Sequence, residues 1–283
     1  MKILITGGGG QVAFDLVLLA SQQNYLFFAP SHAQLDIIKL PDIMKTLQLF
    51  RPDVVINTAA YTRVDQAEQE RAAALAANCK GVENLAMACA DFKCPLIHLS
   101  TDYVFDGKKQ NPYTEDDLPS PINFYGITKW EGEKMVRHYS ERHIILRVSA
   151  VFGVHGNNFV KTILKMAKST PVLRIVNDQL TCPTSTQDIA SVLLKLVHIS
   201  DWGTYHYCGH PAVTWYEFAK KILSMANYNL QEIVPITTAD YPTAAARPIY
   251  SVLDCQRIEK KLSLTRPDWE KGLQHVIQHL STA

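Results

Sequence analysis

The stretch from Phe124 to Lys134, FYGITKWEGEK, sets a tyrosine, Tyr125, four residues before a lysine, Lys129. On a helix, residues four apart share a face. Such a lysine lowers the pKa of the tyrosine and can hold a nicotinamide ribose. The tyrosine then gives a proton to a carbonyl oxygen as hydride arrives at the carbon. The same spacing recurs at Tyr216 and Lys220 in WYEFAKKIL. Surroundings separate the two pairs. Tyr125 follows, by 24 residues, an apolar strand that ends in Ser100 and Thr101, which offer a hydroxyl beside a substrate oxygen. It also lies just beyond PSPINF, whose prolines hold an extended approach to a helix. Tyr216 follows a predicted Thr214 N-cap, with aromatics spaced as a core face, so the second pair is assigned to packing.

A hydride donor needs a seat. TGGGGQVA lies between the strand KILIT and the amphipathic VAFDLVLLASQ. Gly7, Gly10 and Ala13 read G-x-x-G-x-x-A: a tight turn, close approach of a pyrophosphate to backbone N–H groups, and close helix–strand packing. The second strand, YLFFA, runs into PSH with no carboxylate at its end. An acidic residue there would favour NAD, so its absence favours NADP, with NADH as second candidate. Asp36 is next in chain order to reach the adenine side.

These groups need a sheet to hold them. KILIT, YLFFA, DVVINTAA, PLIHLST and HIILRVS are apolar runs that alternate with helical stretches, among them IMKTLQLF, EQERAAALAANCKGVENLAMACADF and KWEGEKMVRHYS. Strands without polar alternation, separated by helices, predict a doubly wound α/β fold with a parallel Rossmann-type sheet. Ligands bind at the carboxyl ends of such strands, where Thr101 falls. Beyond Ser149 the alternation weakens. FVKTILKMAK, DIASVLLKLVHI and TWYEFAKKILSMA read as helices around short strands such as TYHYC. Residues 1–150 are the expected dinucleotide-binding domain. Residues 151–283 are mainly a small C-terminal substrate-binding lobe, with late segments free to rejoin the main sheet.

The 283 residues carry a net charge of +1 and are 47% hydrophobic, which supports a large core and gives no electrostatic reason for nucleic acid or a membrane surface. The six cysteines form no C-x-x-C pair, so free thiols in a reducing compartment are expected. The N-terminal apolar run is broken by glycines and is too short for a signal peptide, and no later run spans a bilayer. A soluble cytoplasmic protein is expected.

Taken together, GGGGQV, Leu35–Asp36, RPDVVINTAAYTRVDQAE, STDYVFDG, SPINFYGITKWEGE, GNNFV, NDQ with PT, and ARP at 246–248 resemble the extended short-chain dehydrogenase/reductases, and within them the dTDP-4-dehydrorhamnose reductase group. The resemblance covers nearly the whole chain. It implies that Tyr125 is the proton donor, Lys129 its partner and Thr101 the hydroxyl orienting the carbonyl, with Asp102 touching the sugar. It implies that Gly10, Gln11 and Val12 cradle the pyrophosphate, that Asp36 and Ile37 flank the adenosine, and that Ala60, Tyr61 and Thr62 line the cofactor after the fourth strand. Arg247 becomes a candidate for the substrate diphosphate. Relatives that eliminate water carry Asp-Glu after the threonine. Here the run is Thr101-Asp102-Tyr103, which suits reduction of a 4-keto group on a nucleotide sugar and not dehydration.

Three positions depart from the group's pattern. Ala150 replaces a tryptophan that would stack on the sugar. Thr181 replaces a glycine. Some members dimerise around magnesium, and the resemblance allows a homodimer here. Asp15 fits that metal pattern, but Gln187 replaces a glutamate and an amide is a poorer ligand for a hard cation, so no metal is expected. Two further readings stay open: a reductase of a related unusual keto-sugar of the dihydrostreptose type, and a non-catalytic regulatory subunit similar to that of methionine adenosyltransferase.

Overall fold

The computed structural model describes residues 1–228 and 232–281. The first half alternates: β1 (Lys2–Thr6), α1 (Gln11–Gln22), β2 (Leu26–Phe28), α2 (Leu40–Phe50), β3 (Val54–Asn57), α3 (Val64–Ala67), α4 (Arg71–Leu75), α5 (Gly81–Asp91), β4 (Leu96–Thr101), α6 (Phe124–Tyr139) and β5 (His143–Val148). The second half adds β6 (Val151–Phe152), α7 (Phe159–Ala167), β7 (Val172–Val176), β8 (Leu180–Thr181), β9 (Thr184–Ser185), α8 (Thr186–Leu196), β10 (Gly203–Tyr207), β11 (Val213–Thr214), α9 (Trp215–Met225), β12 (Glu232–Ile236), α10 (Gln256–Leu262) and α11 (Trp269–Ser281).

Six strands pair in parallel in the order β10-β5-β4-β3-β1-β2. Both faces are covered, which is why the strands read as continuous apolar runs. Ile3, Ile5, Val54 and Ile56 pack to one side with α1 and α8. Leu4, Val55 and Leu96 pack to the other with α2 and α5. The strand order reverses between β1 and β3, so the glycine turn after β1 opens at the switch point where such sheets bind ligands.

Two sequence expectations change. Ala60, Tyr61 and Thr62 follow β3, the third strand, and not a fourth. The helical stretch expected over 68–92 begins only at Arg71, after a turn that follows α3, and runs to Asp91 through a π-turn at Ala76–Lys80, which carries Asn78.

TYHYC does rejoin the main sheet, because β10 pairs with β5 from Gly203↔Ile144 to Tyr207↔Val148. Residues after 150 therefore serve two regions. The β7/β12 pair and helices α7, α9 and α11 build a separate apolar cluster around Phe152, Leu173, Phe218 and Trp269. Tyr216 and Lys220 belong to that region. Thr214 caps α9 in a reciprocal pair with Glu217, and Lys220 Nζ lies 5.5 Å from the centre of the Tyr216 ring. Among the described residues no helix is long and apolar enough to cross a membrane.

Candidate active site

β4 ends at Thr101, and α6 begins 23 residues later with Asn123 as its cap: the Asn123 side-chain oxygen accepts from Gly126 N at 2.7 Å. The Asn123 amide nitrogen also donates to the Ala246 carbonyl oxygen at 2.8 Å, and Phe124 N donates to Glu68 Oε1 at 2.7 Å. A local cap and two distant segments thus fix the first turn of α6. Gly126 lets that turn come close, since a Cβ there would lie 2.1 Å from the Tyr103 carbonyl oxygen.

The close approach sets the first turn of α6, with Tyr125, against the segment that follows Thr101. Burial pushes the Tyr125 phenol up, so it carries its proton at neutral pH, and the Thr101 hydroxyl opposes that rise only in part. The Tyr103 ring meets Tyr125 edge-on, centroids 6.0 Å apart.

Lys129 is buried one turn on. Its Nζ donates to the Leu99 carbonyl oxygen at 2.8 Å and lies 3.4 Å from His98 Nε2. Burial lowers its pKa to about 8, against the pull of Glu133. Thr101 at the carboxyl end of β4 thus lies where the first turns of α6 bring Tyr125 and Lys129.

Asp102 is buried with both oxygens occupied. Thr101 Oγ1 donates to Oδ1 at 3.1 Å and Ser149 Oγ to Oδ2 at 2.7 Å. Ser149 Oγ also lies 2.9 Å from Thr181 Oγ1, which Ser251 Oγ reaches at 3.4 Å. Thr181, in place of a glycine, thus fills this hydroxyl cluster. Burial raises the Asp102 carboxyl to about 6, with Ser251, Ser149 and Thr101 opposing the rise. Ala150 adopts a left-handed φ of 42° beside them.

Arg247 is held by Asp65: Nη1 donates to Oδ1 at 2.5 Å and Nη2 to Oδ2 at 2.6 Å. The bond to Arg247 keeps the Asp65 carboxyl below its usual range. Any phosphate at Arg247 shares the guanidinium with this carboxylate. Close by, a cleft of about 540 Å³ opens between Gly107–Gln110, Asn177–Asp178 and Ile249–Tyr250.

The glycine turn fits a dinucleotide pyrophosphate. Gly7 has φ +74°, and a Cβ there would sit 2.7 Å from the Ala59 backbone. Above Gly9 nothing lies within 4 Å of where a Cβ would be. Gly10 caps α1 without a side chain, so the N–H groups of Gln11 and Val12 face an open end of a twelve-residue helix. Gly8 N donates to the Pro30 carbonyl oxygen at 2.9 Å, which joins the end of β2 to the turn.

Asp36 Oδ1 accepts from Ile38 N at 3.0 Å in a loop turn, and the Ile37 side chain is buried against α5. Ile37 can offer a cofactor only its backbone. Ala60 and Thr62 are exposed, while Tyr61 turns its hydroxyl onto Glu70 at 2.8 Å. Asn78 grips Tyr61 by backbone at both ends, accepting from N at 2.8 Å and donating to O at 2.9 Å. Asn78 was not singled out from sequence. An asparagine inside a helical run was its only signal.

Asp15 is buried, and its Oδ2 takes no hydrogen bond. Gln187 Nε2 lies 2.7 Å from His275 Nε2. One carboxylate, one amide turned to an imidazole, and that imidazole make a poor set for magnesium. Among the described residues no three His, Cys, Asp or Glu side chains gather as if to hold a metal.

A doubly wound sheet, a glycine turn at its switch point and a Thr-Tyr-Lys set define an extended short-chain dehydrogenase/reductase. The family profile described as "RmlD substrate binding domain" matches residues 1–282, and the chain belongs to that family. It is 42% identical to the dTDP-4-dehydrorhamnose reductase of Aggregatibacter actinomycetemcomitans, over 97% of this chain and 98% of that one. Among solved structures, the dTDP-4-dehydrorhamnose reductase of Bacillus anthracis in complex with NADP superposes with a TM-score of 0.93 at 36% identity, covering 98% of each chain. The orthologue from Clostridium acetobutylicum gives 0.95 at 36% identity, over 99% of this chain and 100% of that one.

Proposed function

We propose that this protein reduces the 4-keto group of a nucleoside-diphosphate 6-deoxyhexose with NADPH, converting dTDP-4-dehydro-L-rhamnose to dTDP-L-rhamnose. The observation that carries this reading is the placement of Thr101 at the end of β4 and of Tyr125 and the buried Lys129 on the first two turns of α6, which pack against that end. The bound nicotinamide supplies hydride. Gly7 and Gly10 form the tight turn, closed by the Gly10 N–H on the Gly7 carbonyl, that lets the N–H groups of Gln11 and Val12 hold the pyrophosphate, and Asp36, the Ile37 backbone, Ala60, Tyr61 and Thr62 border the nucleoside and nicotinamide sides. Tyr125, protonated at working pH, gives its proton to the carbonyl oxygen, and Thr101 reaches the same atom by turning its one proton away from Asp102. Asp102 acts on the sugar by setting the Thr101 hydroxyl, since its own oxygens are already bonded. The six free thiols support a cytoplasmic setting.

The test is NADPH oxidation with dTDP-4-dehydro-L-rhamnose generated in the same cuvette, NADH in parallel. Turnover to dTDP-L-rhamnose is expected. Tight NADPH binding without turnover would overturn the substrate and favour a sugar whose ring needs no partner at Ala150.

Arg247 is assigned to the substrate diphosphate. Loss of a charge-assisted hydrogen bond costs about 1.5–3 kcal/mol, so Arg247→Ala should raise KM for the nucleotide sugar about tenfold or more. NADPH affinity should stay level. An unchanged KM would leave Arg247 as a brace for Asp65 alone.

A further inference from the structure

Thr6, Asn57 and His98 are register partners on β1, β3 and β4. They form a buried polar row across the carboxyl end of the sheet, and Lys129 meets its last member. The row has a direction. Asn57 Oδ1 accepts from Ala59 N at 3.1 Å and from Thr6 Oγ1 at 2.6 Å. The backbone N–H can only donate, so the Asn57 amide is fixed with its nitrogen toward His98 Nδ1, 2.9 Å away. His98 Nδ1 must then accept, and a neutral ring carries its proton on Nε2. That N–H faces Lys129 Nζ at 3.4 Å. A charged ammonium has no lone pair to accept it, whereas a neutral amine accepts from His98 and still donates to the Leu99 carbonyl.

We propose that His98 is a positioning residue for the reduction. Held as its Nε2–H tautomer by Asn57, it favours the neutral form of Lys129 and so sets the pH at which the lysine beside Tyr125 loses its charge. This rests on the reading of Tyr125 and Lys129 given above. Burial, and then the Lys129 charge, hold His98 well below the ordinary histidine range, so the ring stays neutral. The other titratable and charged groups around the pair are Glu133 and Arg137 on α6 and, from β5, Arg147 and His143, whose own ring burial keeps toward the neutral form. Glu133 works the opposite way on Lys129, stabilising its charge.

Nitrogen-15 spectra of the histidine rings test the tautomer without turnover. The ten histidines are sorted by the signal lost in His98→Gln, or by the contact of the ring with the Lys129 side chain. A neutral Nε2–H ring is expected from about pH 6 to about pH 9. An Nδ1–H or doubly protonated ring would overturn the proposal.

The second measurement follows the carbon-13 Cε shift of Lys129 and the basic limb of kcat/KM with pH. Asn57→Asp gives His98 Nδ1 an acceptor and reverses the row, so Nε2 accepts from a charged lysine. The added carboxylate acts in the same direction. Both titrations should then move up by about one pH unit or more. His98→Leu should lower kcat, and His98→Gln, which keeps an acceptor for Asn57 and a donor for Lys129, should restore most of it. A reversed ring with the Lys129 titration unmoved would overturn the coupling. An Nε2–H ring in a protein that turns over no keto-sugar would overturn the assigned reaction and leave the tautomer standing.

Discussion

Tyr125→Phe should lower kcat for keto-sugar reduction by roughly 10²–10⁴-fold, the usual worth of a positioned proton donor. NADPH affinity should change little. The phenol sits at the first turn of α6, where Asn123, Ala246 and Glu68 fix the backbone and Gly126 sets the distance to β4. Removing one oxygen leaves that frame intact, and the edge contact with Tyr103 is made by the ring. What is lost is the proton that the phenol gives to the carbonyl oxygen. A hydride delivered to a carbonyl without a proton leaves an alkoxide, and Thr101 alone is too weak an acid to quench it. Tyr103 is the nearest substitute, but burial raises its phenol to about 12 against the pull of the Arg247 charge. Stopped-flow transients with deuterated NADPH give the readout: the isotope effect should persist while the single-turnover rate falls. A variant that keeps more than about a tenth of wild-type kcat would remove Tyr125 from the proton step.

Local signals in the chain pointed to that candidate site. The glycine turn announces itself through strand before and helix after. Tyr125 and Lys129 announce themselves through helical spacing and a preceding strand that ends in hydroxyls. Apolar strands alternating with helices show that both sheet faces are covered. What sequence could not show depends on pairings far apart in the chain. Arg247 reaches Asp65 across 182 positions, and which acid it meets follows only from the fold. His98 in an apolar strand reads as a core histidine, and its role emerges when β3 places Asn57 beside it in register. Ile37 lies next to Asp36 in a matching motif, yet its side chain turns into the core because α5 presents Gly81 there. The strand at 203–207 looks like the others in the smaller region. Only the free edge of β5 decides that it returns to the main sheet. Thr181 is a departure whose compensation is visible in three dimensions alone: its hydroxyl completes the Ser149–Ser251 cluster.

Glu133→Gln should cost about 3–5 kcal/mol of stability at neutral pH, the range expected when one partner of a buried ion pair is removed. Glu133 lies on α6 one turn beyond Lys129 and is fully buried. Arg147 from β5 donates to it twice, Nε to Oε1 at 2.9 Å and Nη2 to Oε2 at 2.7 Å, while Arg137 and Ser100 donate at 2.9 Å and 2.6 Å. Glutamine keeps the shape and offers one acceptor oxygen, so Arg147, itself 1% exposed, retains a charge with no counter-charge. Burial alone would raise the Glu133 carboxyl, but Arg147 and then Arg137 outweigh it and bring it to about 2, from 4.5. A depressed acid stabilises the fold above its unfolded pKa and loses that contribution as pH falls toward the folded value. The wild-type advantage should therefore be complete above about pH 5 and shrink from there toward pH 2. Denaturant unfolding of both proteins at neutral pH and through that acid range measures it. A gap below about 1 kcal/mol at neutral pH would mean that Arg147 finds solvent or another partner. A gap that stays constant on acidification would mean that the loss is packing and not charge. Because Lys129 lies one turn before Glu133 on α6 and feels its charge, and Ser100 of β4 donates to the same carboxylate, the variant should also lose activity before it unfolds: the carboxylate that anchors α6 to β4 and β5 also stabilises the Lys129 charge.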